Sequence, residues 1–117
     1  MLRTFLRTKI HRATVTDANL QYEGSVSIDT VLLEASGIEP FEQVDIYNIT
    51  NGERLTTYAI PGQRGDICIN GAAAWKAKKG DLVIIACYGQ FNDEEVRTFI
   101  PKLIFVDDKN QIKNIHS

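Results

Sequence analysis

Gln43-Val44-Asp45-Ile46-Tyr47-Asn48-Ile49-Thr50-Asn51-Gly52-Glu53-Arg54-Leu55-Thr56-Thr57-Tyr58-Ala59-Ile60 is the stretch that decides the fold. Val44 and Ile46 take one face of an extended chain and Tyr47 and Ile49 the other, the two-residue rhythm of a strand. Asn51-Gly52 supplies residues that tolerate positive φ, as a tight hairpin turn requires. The return strand runs from Arg54 to Ile60. Working outward, Lys9 to Thr16 alternates polar with apolar, and Leu20 to Ile28 reads as a second strand. Asp29 is placed to cap a short helix over Thr30 to Ala35, with Gly37 to end it. On the other side, Pro61-Gly62 opens a loop through Asp66, and Ile67 to Ile69 is a short strand. Asn70-Gly71 leads into an alanine-rich helix over Ala72 to Lys79, closed by Gly80. Leu82 to Tyr88 reads as a buried strand, Leu103 to Val106 as the last one, and Asp107 to Ser117 as a polar tail. The expectation is a mainly β protein, a small closed barrel of six or seven strands with two or three short helices.

The composition sets limits on function. A chain of 117 residues with 44% apolar and 24% charged residues is one globular domain. A net charge of −2 argues against nucleic acid or an anionic membrane as a partner, since either needs a concentrated basic surface. Met1 to Phe5 leads into a polar, alternating segment and not a secretory signal, and no run is apolar enough to span a membrane. The cytoplasm is therefore the expected location. Cys68 and Cys87 lack metal-ligand spacing and read as small buried hydrophobes. His11 and His116 have no neighbouring ligands, so no metal is expected.

Several short motifs stand in series. They are Lys9-Ile10-His11-Arg12-Ala13, Tyr22-Glu23-Gly24-Ser25 before Ile28-Asp29, and Asn51-Gly52-Glu53-Arg54 before Thr56-Thr57-Tyr58. Arg64-Gly65, Asn70-Gly71-Ala72-Ala73-Ala74 and Gly80-Asp81 before Leu82-Val83-Ile84-Ile85 complete the set. In this order and spacing the chain resembles the pyruvoyl-dependent aspartate 1-decarboxylases, from near its start to about Tyr88. The resemblance implies a double-psi β-barrel, a homotetramer with active sites at subunit contacts, and no metal or PLP. It implies cleavage between Gly24 and Ser25 into a β chain of residues 1–24 and an α chain of residues 25–117. Ser25 would become the covalent pyruvoyl group that forms a Schiff base with L-aspartate, giving β-alanine for pantothenate synthesis. Departures are modest: Tyr47 replaces an expected tryptophan, Val26 and Ser27 replace smaller or sulfur-bearing residues, and the loop from Pro61 to Ile69 is slightly short. Some relatives need a helper protein to mature.

The residues fit this chemistry. A serine hydroxyl can attack the preceding carbonyl, turning the amide into an ester. Elimination then leaves dehydroalanine, and hydrolysis gives a ketone with loss of ammonia. Gly24 permits a backbone geometry that a Cβ would block. The resemblance assigns the oxyanion donor to Thr57 and the later proton donor to Tyr58, which is protonated at neutral pH. Arg54 offers a planar fork for a carboxylate, and Lys9 is the second cation carried over. Arg54 and Tyr58 fall on one strand face, whereas Thr57 points the other way. Asn70, Gly71, Ala72 and Ala73 open the short helix, where free N–H groups attract an anion and small side chains admit a ligand. Tyr22 lines the pocket or is a strand aromatic; Trp75 reads as core or interface. Asp17, Glu23 and Asp29 read as turn and cap residues.

Other readings are a non-catalytic β-barrel binding module, a swapped-hairpin DNA-binding protein, and a pyruvoyl decarboxylase for another amino acid. The first has no need of Gly24-Ser25, Arg54, Thr57 and Tyr58 together. The second lacks a basic cluster. The third is disfavoured by two cations and a helix-end site, which suit a substrate with two carboxylates.

Overall fold

A computed structural model describes residues 1–117. The strands are β1 (Arg3–Thr14), β2 (Asp17–Asn19), β3 (Val26–Asp29), β4 (Gln43–Asn48), β5 (Arg54–Gly62), β6 (Ile67–Asn70), β7 (Leu82–Phe91), β8 (Lys102–Val106) and β9 (Ile112–His116). Two short helices, α1 (Thr30–Ser36) and α2 (Asp93–Thr98), and a 3₁₀ turn over Gly71–Trp75 join them. The strands form one ladder in the order β2-β6-β3-β5-β4-β7-β1-β8-β9.

β2 and β1 stand far apart in that order yet are consecutive in the chain. Between them, the Thr16 N–H donates to the Ile67 carbonyl at 2.9 Å, and the Ile67 N–H donates to Thr16 Oγ1 at 3.0 Å. The strands from β2 to β1 therefore return on themselves through residues 15 and 16, as a small β-barrel requires, with β8 and β9 appended outside. A register shift between Ile10 and Ala13, with Arg12 at φ +65°, gives β1 the bend that this corner needs. Ile10, Val26, Ile28, Val44, Ile46, Ile67, Ile69, Val83 and Ile85 fill the interior, all essentially inaccessible. Each such side chain contributes roughly 1.5–3 kcal/mol over an exposed one.

The expected cap and stop of α1 hold. Asp29 accepts the Val31 N–H at 2.8 Å, and Gly37 sits at φ +78°. Elsewhere the structure corrects the reading. Leu20 to Ile28 is two strands, β2 and β3, separated by an irregular corner over residues 20–25. The connection from β4 to β5 is longer than a two-residue turn, and only Gly52, at φ +79°, has positive φ there. Asn48 Oδ1 accepts the N–H groups of Thr50 (2.9 Å) and Asn51 (3.3 Å), and Asn51 Oδ1 accepts that of Glu53, so side chains shape the loop.

The helix expected over Ala72 to Lys79 is only the 3₁₀ turn. The Lys76 carbonyl is taken by the side-chain amides of Asn48 (3.0 Å) and Asn51 (2.9 Å), and the Lys78 N–H by Asp81 Oδ2. Groups that would continue a helix are thus bound elsewhere. The polar tail contains β9, paired with β8. α2 was not foreseen, although Asn92 and Glu95 form a reciprocal capping box.

Candidate active site

Ser25 is 1% exposed and its φ is +100°, outside the range favoured by residues with a Cβ. Such a conformation costs on the order of 1–3 kcal/mol and persists only where the surroundings enforce it. Three contacts do so. The Ser25 N–H donates to Thr57 Oγ1 at 3.2 Å, its carbonyl accepts the Asn70 N–H at 2.9 Å, and its Oγ accepts from Asn70 Nδ2 at 3.1 Å.

The strain lies on Ser25 and not on Gly24. A Cβ on Gly24 would make only ordinary contacts, 3.7 Å from Tyr58 Cε1 and 3.9 Å from the Tyr58 hydroxyl. The glycine that the packing demands is Gly71: at φ +67°, its Cβ would lie 2.7 Å from the Gly24 nitrogen and 2.8 Å from its Cα. Gly71 thus lets the 3₁₀ turn press against the Gly24 backbone, replacing the expectation that Gly24 itself was chosen for strain.

Thr57 and Tyr58 point to opposite faces of β5, yet both reach this corner. β3 runs parallel to β5 with Val26 opposite Ala59, so continuing that register backward sets Gly24-Ser25 beside Thr57-Tyr58. The corner passes along the strand edge and meets one side chain from each face. Thr57 Oγ1 contacts the Ser25 nitrogen, and the Tyr58 ring, 37% exposed and stacked on Phe41, flanks Gly24. A cavity of about 280 Å³ opens here, lined by Gly24, Leu55, Thr56, Thr57, Asn70, Ala72, Ala73 and Lys76. Its floor is the 3₁₀ turn, whose Ala72 and Ala73 leave the room. Five residues of 3₁₀ turn do not make the α-helical N-terminus expected there.

Arg54 and Lys9 are not brought to this cavity. Arg54 is exposed at the start of β5, its guanidinium 4.4 Å from the centre of the Tyr47 ring. The Tyr47 hydroxyl lies 2.7 Å from that of Tyr88, and burial with this contact pushes its pKa up to about 12, keeping the ring neutral beneath the cation. Lys9 is half-buried on β1 opposite Ala86, with β7, β4 and β5 between it and β3. Across the barrel surface, Lys9, Ala86, Asp45 and Thr56 lie in one cross-strand row.

Lys76 was missed. It is the one cation lining the cavity, its Nζ 3.6 Å from Glu53 at half exposure, and it read as an ordinary residue of the expected helix. Ser27, noted only as a departure, also contacts Asn70 (3.1 Å from Oγ to Nδ2). Among the lesser candidates, Asp29 accepts a second N–H, from Gly65, and Asp17 accepts that of Ala18, both backbone-supporting roles. Tyr22 and Glu23 are exposed, and Trp75, at 80% exposure, is not core. His11 packs edge-on to Phe105; burial, then Lys9 and Arg12, lowers its pKa. Both cysteines are free, no three His, Cys, Asp or Glu side chains gather to hold a metal, and no helix is long and apolar enough to cross a membrane.

A buried serine held in a strained conformation, beside a small open cavity, is a pattern that known proteins can be compared with. A family model described as aspartate decarboxylase matches residues 1–113. A protein of Syntrophus aciditrophicus named aspartate 1-decarboxylase is 58% identical over 116 residues, covering 97% of this chain and 100% of that protein. One of the same name from Hydrogenobaculum is 56% identical, covering 98% of this chain and 92% of its own length. Another, from Bordetella avium, is 52% identical over 98% of this chain and 96% of its own. With nearly every residue of the barrel and its strained corner inside these matches, the chain belongs to the aspartate decarboxylase family.

Proposed function

We propose that this chain cuts itself between Gly24 and Ser25 and that the resulting pyruvoyl enzyme decarboxylates L-aspartate to β-alanine and CO₂, feeding pantothenate synthesis in the cytoplasm. The observation that carries the proposal is Ser25 itself: buried, at φ +100°, and bonded at its N–H, its carbonyl and its hydroxyl. An ordinary turn serine needs none of this. In the cut form, residues 1–24 are the β chain and residues 25–117 the α chain.

Each residue has a task in this reading. Ser25 Oγ attacks the Gly24 carbonyl carbon, and the C–N bond breaks to leave an ester and a free amine. Relief of the strained φ favours that shift, and the Thr57 hydroxyl, which accepts the N–H of the departing nitrogen, is assigned the developing charge. Elimination frees the Gly24 carboxylate, and water replaces nitrogen as ammonia leaves. The ketone then supplies an electron sink for the bond broken in decarboxylation. Asn70, Ala72 and Ala73 form the wall against which the substrate rests, and Lys76 gives that wall a cation. Gly71, packed on the Gly24 backbone, sets the turn in place, and the Tyr58 hydroxyl, beside Gly24, is assigned the return of a proton to the substrate's α-carbon. Lys9 on β1 and Arg54 at the exposed start of β5 do not line this cavity, so we assign them to the cavity of a neighbouring copy, within a homotetramer.

The denatured mass of the purified protein tests the proposal. The expected result is a fragment ending at Gly24 and a partner one ammonia lighter than a chain starting with Ser25. A partner with an intact N-terminal serine, or a chain that stays uncut with heat and cell extract, overturns it. CO₂ release from aspartate, compared with glutamate, tests the substrate: equal or better turnover of glutamate contradicts the assignment.

A further inference from the structure

The Asn70 side chain is 3% exposed and has three partners. Its Nδ2 lies 3.1 Å from Ser25 Oγ and 3.1 Å from Ser27 Oγ, and its Oδ1 accepts from the Cys68 thiol at 3.6 Å. A primary amide carries two N–H donors on one end and an acceptor on the other, and the two ends have nearly the same shape. Which end meets Ser25 matters greatly for cleavage. An N–H aimed at Ser25 Oγ leaves the hydroxyl proton free to depart and strengthens as the oxygen becomes anionic. A carbonyl aimed there would hold the proton and repel the developing charge.

We propose that Ser27 is a positioning residue for self-cleavage: its hydroxyl accepts the second N–H of Asn70 and, with the Cys68 thiol on Oδ1, keeps the first N–H on the Ser25 hydroxyl. Without the Ser27 oxygen, one Asn70 N–H is buried and unpartnered, which is unfavourable. The amide relieves that cost by turning away from the productive arrangement. Cys68 works in the same direction. Burial, and then the Asp17 and Asp66 carboxylates, raise its pKa, so the thiol keeps its proton and remains a donor. The three side chains come from neighbouring strands: β3 pairs with β6, with Ser27 opposite Cys68. This places Ser27 and Cys68 on either side of the Asn70 amide, at the start of the turn that carries Gly71.

The proposal rests on self-cleavage at Gly24-Ser25, and its test separates the two. Full-length wild type, Ser27→Thr and Ser27→Val are followed by denatured mass from the first uncut chain onward. Threonine and valine share a shape, so the pair isolates the hydroxyl from packing. Ser27→Thr should cut within about twofold of wild type, and Ser27→Val about tenfold more slowly, as loss of one buried hydrogen bond implies. Cys68→Ala should slow cutting less than Ser27→Val. Equal rates for Ser27→Thr and Ser27→Val, whether fast or slow, overturn the positioning role while leaving self-cleavage intact. A wild type that never cuts overturns both.

Discussion

Asn48 and Asn70 are two asparagines equally hidden from solvent, 3% exposed each, and they serve opposite ends. Asn48 Nδ2 donates to the Lys76 carbonyl and to Asp81 Oδ2, while its Oδ1 takes the Thr50 and Asn51 N–H groups. Its partners are backbone groups and a carboxylate that also binds the Lys78 N–H, and none of those residues has a positive φ. Asn70 bonds to two hydroxyls and a thiol, and one of those hydroxyls belongs to a residue at φ +100°. A satisfied buried network that joins unreactive groups stiffens a fold. In the proposed self-cleavage, the same kind of network joined to a strained serine holds its hydroxyl ready to attack. Burial and satisfaction therefore do not distinguish a structural asparagine from a functional one; the chemistry of the partners does.

The sharpest break of that comparison is Ser25→Ala, which should leave a folded, uncut and inactive chain, read as a single mass and no CO₂ release. Tyr58→Phe should cut normally but lose about 100-fold or more in turnover, since only proton return needs the hydroxyl; a kcat near wild type would remove that role. The two asparagines should then separate cleanly. Asn70→Ala should slow cutting about 100-fold, as loss of a hydrogen bond to the ionising Ser25 hydroxyl implies. Asn48→Ala should cut at the native rate yet lose about 2–3 kcal/mol of stability in urea, because it strands buried partners. If Asn48→Ala slowed cutting as much as Asn70→Ala, the contrast would collapse. Thr57→Val is expected to slow cutting about tenfold, the worth of one hydroxyl at the scissile nitrogen. Unchanged maturation there would assign the oxyanion to another donor.

Much of the fold was legible where its causes are local. Alternation marked β4, the return from the Asn51-Gly52 turn marked β5, a continuous apolar run marked β7, and Asp29 with Gly37 marked both ends of α1. The break between β2 and β3 was not legible, because Leu20, Tyr22, Val26 and Ile28 keep a two-residue spacing through a corner held by partners far along the chain. The short 3₁₀ turn was misread as a helix for a related reason. Alanines favour a helix, but the Lys76 carbonyl is claimed by Asn48 and Asn51, more than twenty residues away. β9 was hidden in a polar segment because an outer strand has little apolar surface to show. In the candidate site, the motifs identified Ser25, Thr57, Tyr58 and the Asn70–Ala73 run. Ser27 and Lys76 carried no signal of their own, since a strand serine and a surface lysine look alike wherever they fall.

The sequence by itself determined the β character, the capped helix and, through the order of its motifs, the family. Only the tertiary structure decided that the strain sits on Ser25 and the close approach on Gly71, and that Lys9 and Arg54 lie away from the cavity of their own chain. The physical reason is range. Periodicity and caps act over a few neighbouring residues and can be read in order. The Asn70 amide meets the Ser25 hydroxyl across 45 positions, and such a meeting exists only after the barrel has brought β6 beside β3.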